Sequence, residues 1–226
     1  MRRFVLAILI AVFVSSWAPC APYALGQTFT TDQILAKLDE KAKVFTSLQT
    51  SLSKQQNVHG YLPSPDIGTL TIALAQGTPR ILLDITSKPL QRALIDKGKA
   101  TLYFPGDNTY RQASVDPKSE QLMLLLLGFG TPAETIRRGY SPQAKGTETV
   151  AGVQTVALEL KSISKTTDAY PTVTLWLDPQ TWIPVKTRLA EAPTKYYEFV
   201  YSKVVLNKPL GNSAFDLKMK GDAKKQ

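Results

Sequence analysis

Apolar residues change their spacing along this chain, and each change marks a new element. From Phe4 to Val14 they run unbroken for 11 residues behind Arg2 and Arg3. Ala24 and Gly26 then supply small residues at the two positions a signal peptidase reads. The run is far short of the ~20 residues a membrane-spanning helix needs. Residues 1–26 are therefore expected to be a signal peptide, cleaved between Gly26 and Gln27. Cys20 lies inside it, and a lipid-attachment cysteine wants Leu three residues before and a small residue just before. Trp17 and Pro19 stand there instead.

Beyond the leader the steps become three and four. Ile34, Leu35, Leu38, Ala42, Phe45, Leu48 and Leu52 form one stripe behind a Thr30–Gln33 capping-box pair. This predicts one long helix, closed by "KQQNVHG". Period two then takes over. "IGTLTIAL" and "PRILLDI" flank "AQGT" and read as a hairpin, with Leu70, Ile72 and Leu74 matched to Ile81, Leu83 and Ile85. "KATLYF" and "TYRQASV" flank the turn "PGDN", and three more alternating segments follow residue 146, joined by short Gly-, Pro- or Asp-containing links. Hairpins dominate, so the expected sheet is antiparallel.

Between the two groups of strands stands "QLMLLLLGFGTPAET", residues 121–135. Asp116 and Pro117 read as N-cap and first turn of a helix, and Gly128 as its left-handed C-cap. Thr131, Pro132 and Glu134 repeat the pattern for a second short helix, through about Arg138. Gly128, Gly130 and Ala133 match a dinucleotide-binding spacing, but such a loop joins strand to helix inside a β-α-β unit, and these glycines join helix to helix. Leu122, Met123, Leu124, Leu125, Leu126 and Leu127 make the first of these helices apolar on nearly every side. It is either a central core helix or the cover of a cavity that holds something greasy.

Composition narrows the chemistry. The lone cysteine is in the leader, so about 200 residues, enough for one domain, enter an oxidising compartment without thiol chemistry. Taking Arg2 and Arg3 from 27 basic residues leaves 25 against 18 acidic ones, a net charge of +7. That excess suits anionic headgroups or an acidic partner as well as plain solubility, and no basic helix or stacking platform points to nucleic acid. His59 is the only histidine, in a loop without a nucleophile or a second metal ligand nearby. Glu198, Asp178 and Asp216 sit on or beside separate strands with no sign of convergence. No enzyme, metal or cofactor is expected. Trp176, Trp182, Tyr196, Tyr197, Phe199 and Tyr201 crowd the last third as core, girdle or ligand lining.

Four passages, in order, resemble the LolA-type carriers of outer-membrane lipoproteins. They are "ILAKLDEKAKVFTSLQTSLSKQ", similar to that family's first helix running into its first strand, "LIDKGKATLYFPGDNTYRQ", "LWLDPQTWIPVKTRL" and "YEFVYSKVVLNKPLGNSAFDLKM". The resemblance implies a mainly β fold with α: an incomplete antiparallel β-barrel, a curved sheet whose apolar concave face is covered by about three helices. Leu122, Leu125 and Leu126 then belong to a lid helix. One parity of each strand would line the acyl-chain cavity: Leu70, Ile72, Leu74, Ile81, Leu83, Ile85, Leu102, Phe104, Val173, Leu175 and Leu177. Many members carry a gating Arg just before the Pro of the third strand. Thr78 stands there, and Arg80 is the candidate substitute. The resemblance further implies a monomeric periplasmic carrier of lipoprotein acyl chains or lipids, with an ATP-driven inner-membrane exporter and an outer-membrane acceptor as partners. Relatives of the same fold act as envelope sensors, usually with an extra domain.

Overall fold

The computed structural model describes residues 28–75, 78–116, 119, 122, 124, 126–164 and 169–226. The expected signal peptide, Pro117 and Leu125 lie outside them.

Helix α1 spans Thr31–Val44 and starts as its capping box requires: the Gln33 amide donates to Thr30 Oγ1 at 3.2 Å, and the Thr30 amide to Gln33 Oε1 at 2.8 Å. Ile34, Leu35 and Leu38 form its buried stripe. The helix ends earlier than its apolar spacing predicts. Leu48 and Leu52 belong instead to β1, Ser47–Val58. A four-residue step is also an even step, so both side chains fall on one face of a strand, and β-branched Val44, Thr46 and Thr50 favour the extended form.

Eleven further strands follow: β2 (Asp66–Ala75), β3 (Thr78–Ile85), β4 (Gln91–Asp96), β5 (Lys99–Phe104), β6 (Thr109–Ser114), β7 (Tyr140–Val150), β8 (Val153–Ser162), β9 (Thr172–Leu177), β10 (Pro184–Ala192), β11 (Lys195–Leu206) and β12 (Lys224–Lys225). They make one sheet in the order β12-β6-β5-β4-β3-β2-β1-β11-β10-β9-β8-β7. Each pairing is antiparallel except the terminal β12–β6 contact. The first hairpin has the expected register, Leu70 opposite Leu83 and Ile72 opposite Ile81.

The sheet stays open and curved, with β7 and β12 as its edges, as expected of one that does not close. The helix count differs. Only α1 and α2, Ala133–Gly139, are complete α-helices among the described residues, so three helices are not found; Leu122, Leu124 and Leu126 have helical backbone between them.

The cap of α2 also differs. Thr131 does not cap it: its hydroxyl donates back to the Leu126 carbonyl at 2.7 Å, and the Ala133 amide donates to Asp39 Oδ1 of α1 at 2.6 Å. A carboxylate from another helix therefore takes the place of the local cap. Gly128 and Gly130 have φ of 79° and 81°. A Cβ on Gly128 would stand 2.4 Å from Pro184 Cγ, and one on Gly130 2.6 Å from Phe45 Cδ1, so the leucine-rich segment docks by close backbone approach.

Two apolar clusters share one face of the sheet. The first packs Ile34, Leu35 and Leu38 of α1 and Ile136 of α2 onto Leu158, Leu160, Val173, Leu175 and Leu177. The second gathers Phe45, Leu48, Leu52, Leu70, Ile72, Ile81, Ile85, Leu122, Phe129 and Tyr201. The segment joins them, with Leu124 and Leu127 in the first and Leu122 in the second. On the opposite face the C-terminal residues Phe215 and Leu217 cover Leu82 and Tyr103.

Candidate functional site

An apolar cavity of about 100 Å³ lies between the sheet and the leucine-rich segment. Its walls are Leu52 of β1, Leu70 of β2, Ile81 and Leu83 of β3, Ala93 and Ile95 of β4, Thr187 and Leu189 of β10, Phe199 and Tyr201 of β11, and Leu124 from the segment. β4 and β10 are five strand spacings apart in the sheet, about 24 Å if it were flat. Both line one small cavity, so the sheet curls around it and its ten side chains form the concave wall, with Leu124 opposite.

Alternation explains the lining. Ala93 and Ile95 pair with Leu83 and Ile81, and Leu52 pairs with Tyr201, so one parity passes unbroken from strand to strand. The interior carries no charge. Its polar groups are the Thr187 and Tyr201 hydroxyls, and burial pushes the Tyr201 phenol far above its ordinary range, opposed only by the nearby Thr187 side chain.

The sequence-predicted lining divides into three groups. Leu70, Ile81 and Leu83 line the cavity. Ile72 and Ile85 are buried in the packed cluster beside it, against which Leu74 also packs. Val173, Leu175 and Leu177 are wholly buried in the other cluster, beneath the helices. Leu102 stands opposite Ala93, so it shares the concave face, but it and Phe104 are only half-buried and lie outside the lining. Of the predicted lid residues, Leu122 is buried and Leu126 packs against the second cluster. Sequence reasoning missed Leu52, Ala93, Ile95, Thr187 and Leu189 as lining, placed Leu124 in the cover, and left Phe199 and Tyr201 open among core, girdle and ligand lining.

No protein-family model matches the chain, and no curated protein matches it. Solved structures do. MucB shares 15% identity with a TM-score of 0.54, over 85% of this chain and 63% of that one. MucB also matches within the Pseudomonas aeruginosa MucA/MucB complex, at 17% identity and TM-score 0.51, over 82% of this chain and 60% of that chain. An uncharacterized conserved protein from Thermus thermophilus shares 10% identity with a TM-score of 0.54, over 86% and 97%. A LolA superfamily protein from Nitrosomonas europaea overlaps less, at 18% identity and TM-score 0.38, over 83% and 98%. The chain has the fold of MucB and of the Thermus protein. Identities this low establish architecture and nothing about cargo or partner, and the chain spans under two thirds of the MucB chain it matches.

Among the described residues, Arg80 makes no polar contact with the leucine-rich segment. It stands opposite Ala73, and its guanidinium lies 4.4 Å over the Phe215 ring on the face away from the cavity. Its Nε is 3.2 Å from Asp96 Oδ1, and its Nη1 donates to Asn212 Oδ1 at 2.9 Å. Thr78 and Arg80 do share a face, but it is the convex one, where Arg80 holds Asn212 and Phe215 of the C-terminal segment.

The remaining chemical candidates stay apart. Glu198 accepts from Arg188 on the convex face, Asp178 accepts from the Gln180 amide and the Thr181 hydroxyl in a turn, and Asp216 accepts from the Lys218 amide. His59 is exposed in a turn with a φ of 52°. Among the described residues no three metal-ligating side chains gather, and no helix is long and apolar enough to cross a membrane.

Proposed function

We propose that this chain is a non-enzymatic periplasmic carrier that takes the acyl chains of lipoproteins or lipids into the concave cavity and moves them from inner to outer membrane. The observation that carries this reading is the uncharged hollow between a curled sheet and a leucine-rich cover. Each buried methylene contributes ~0.8 kcal/mol, so a ~16-carbon chain costs on the order of 12 kcal/mol to expose to water. Passage from membrane to cavity exchanges one apolar surrounding for another and lies near balance. The cavity is smaller than the engineered one of about 150 Å³ that accepts benzene. It admits the end of a chain, and the leucine-rich segment must lift to admit more. An ATP-driven exporter and an outer-membrane acceptor are the partners this reading requires.

Mass spectrometry of lipid extracted after native purification is the direct test. Bound acyl chains are expected, and Leu124→Arg should abolish them while circular dichroism shows a folded sheet. A wild-type protein that stays empty when offered acyl probes sinks the carrier.

A second reading is an envelope sensor that binds lipid and passes a signal to a membrane partner. It is favoured by the likeness to MucB, whose solved structures include a complex with MucA. Crosslinking in cells separates the two: a regulatory membrane protein captured in place of an exporter favours the sensor.

A further inference from the structure

One side chain in the cavity wall is at odds with its surroundings. Thr187 is 4% exposed, and its Oγ1 makes no hydrogen bond of ordinary geometry within the protein, although the Tyr201 hydroxyl is close enough to feel it. Three other buried threonines do use their hydroxyls. Thr50 donates to the Ser202 carbonyl at 2.8 Å, Thr131 to the Leu126 carbonyl at 2.7 Å and Thr155 to the Glu148 carbonyl at 2.6 Å. A buried hydroxyl without a well-formed bond is destabilising, and valine fills the same space with equal preference for a strand. Packing alone therefore does not account for threonine here.

Its position supplies a reason. Thr187 sits between Leu175 on β9 and Phe199 on β11, on the parity that faces the cavity. The Tyr201 hydroxyl belongs to the same wall, and the Phe129 ring stands edge-on to the Tyr201 ring at 5.1 Å, which fixes that ring in place. The two hydroxyls thus form one polar spot in a lining otherwise made of Leu, Ile, Ala and Phe. Both can donate.

We propose that Thr187 and Tyr201 form a subsite for the carbonyl of an ester- or amide-linked acyl chain, so that the cavity reads the linkage as well as the hydrocarbon. This rests on the carrier reading and narrows its cargo. A neutral carbonyl accepts hydrogen bonds without bringing charge into the interior. A free carboxylate does not fit, because no cation lines the cavity to offset its desolvation. The preferred ligand is an acylated molecule, and free fatty acids are discriminated against.

Displacement of the neutral dye N-phenyl-1-naphthylamine by methyl decanoate, decane or decanoate tests this. Wild-type protein should bind the ester more tightly than the alkane, with decanoate weakest. Thr187→Val should weaken the ester about five-fold, the effect of one neutral hydrogen bond, and leave the alkane unchanged. Tyr201→Phe should act in the same direction. Equal affinity for ester and alkane, or a Thr187→Val protein that keeps its preference for the ester, overturns the subsite while leaving the carrier standing. Failure of both ester and alkane to bind overturns the carrier and the subsite together.

Discussion

The two halves of the sheet differ in how completely they are filled. Under α1 and α2, strands β8 and β9 carry Leu158, Leu160, Val173, Leu175 and Leu177 at essentially zero exposure, in one cluster with the apolar side chains of both helices. Under the leucine-rich segment, strands β1 to β4 carry Leu83, Ala93 and Ile95, which remain only partly buried around a hollow. Both halves have the same alternation of apolar and polar residues. What differs is the cover: two helices lie on one half, and the segment reaches from it over the other, with Gly128 close against Pro184 and Gly130 close against Phe45. The filled half supplies a rigid frame, so the hollow half can remain underpacked without losing the fold.

The largest expected effects probe this contrast directly. Leu160→Ala removes a wholly buried side chain from a close-packed site and should cost about 3 kcal/mol in urea unfolding. Leu83→Ala borders existing space and should cost about 1 kcal/mol, while a larger hollow increases acyl uptake. Equal costs at the two positions would abolish the distinction between the halves.

Next comes the glycine turn that docks the segment. Gly130→Ala places a methyl 2.6 Å from Phe45 Cδ1 in a backbone with φ of 81°. A loss of about 2 kcal/mol is expected. Hydrogen exchange at Phe129, whose amide donates to the Leu126 carbonyl at 2.7 Å, should accelerate before exchange in β8 does. Simultaneous acceleration would mean that the segment and the filled half open as one unit.

A smaller effect should follow from Arg80→Ala. It removes a ring contact with Phe215 and a hydrogen bond to Asn212 and leaves Asp96 without its cation, costing about 1 kcal/mol because the pair is partly exposed. The C-terminal strand β12 should loosen while acyl uptake is unchanged. Altered uptake would restore a gating role to Arg80.

Local chemistry made much of this legible in advance. The capping box of α1 was readable because both partners lie three residues apart, and the β2–β3 register because its turn is short. Whatever depends on distant residues was not. Leu48 and Leu52 satisfy helical and strand spacing alike, and only pairing with β2 and β11 decides between them. Tyr103, rather than Leu102 or Phe104, is the buried apolar side chain of β5, because Phe215 and Leu217 arrive from more than 100 positions away to cover its convex side. Arg80, the candidate substitute for a gating residue, lies on the convex face for the same reason. Alternation says which residues share a face but not what will cover it.

The finest distinction concerns the polar spot in the hollow. Burial raises the Tyr201 phenol well above the ordinary tyrosine value of ~10, so the folded protein keeps that proton after the unfolded chain has released it. The native state therefore binds more protons at alkaline pH, and stability falls as pH rises beyond about 10, by up to ~1.4 kcal/mol per unit. Below that value the contribution is fully present. Tyr201→Phe removes the titrating group: near neutral pH it should change stability by less than about 1 kcal/mol, and above pH ~10 its unfolding midpoint should decline less steeply than that of the wild type. Parallel curves would mean that water reaches the hydroxyl in the folded state, so that the hollow half is wet at its floor and a weaker host for hydrocarbon than its lining suggests.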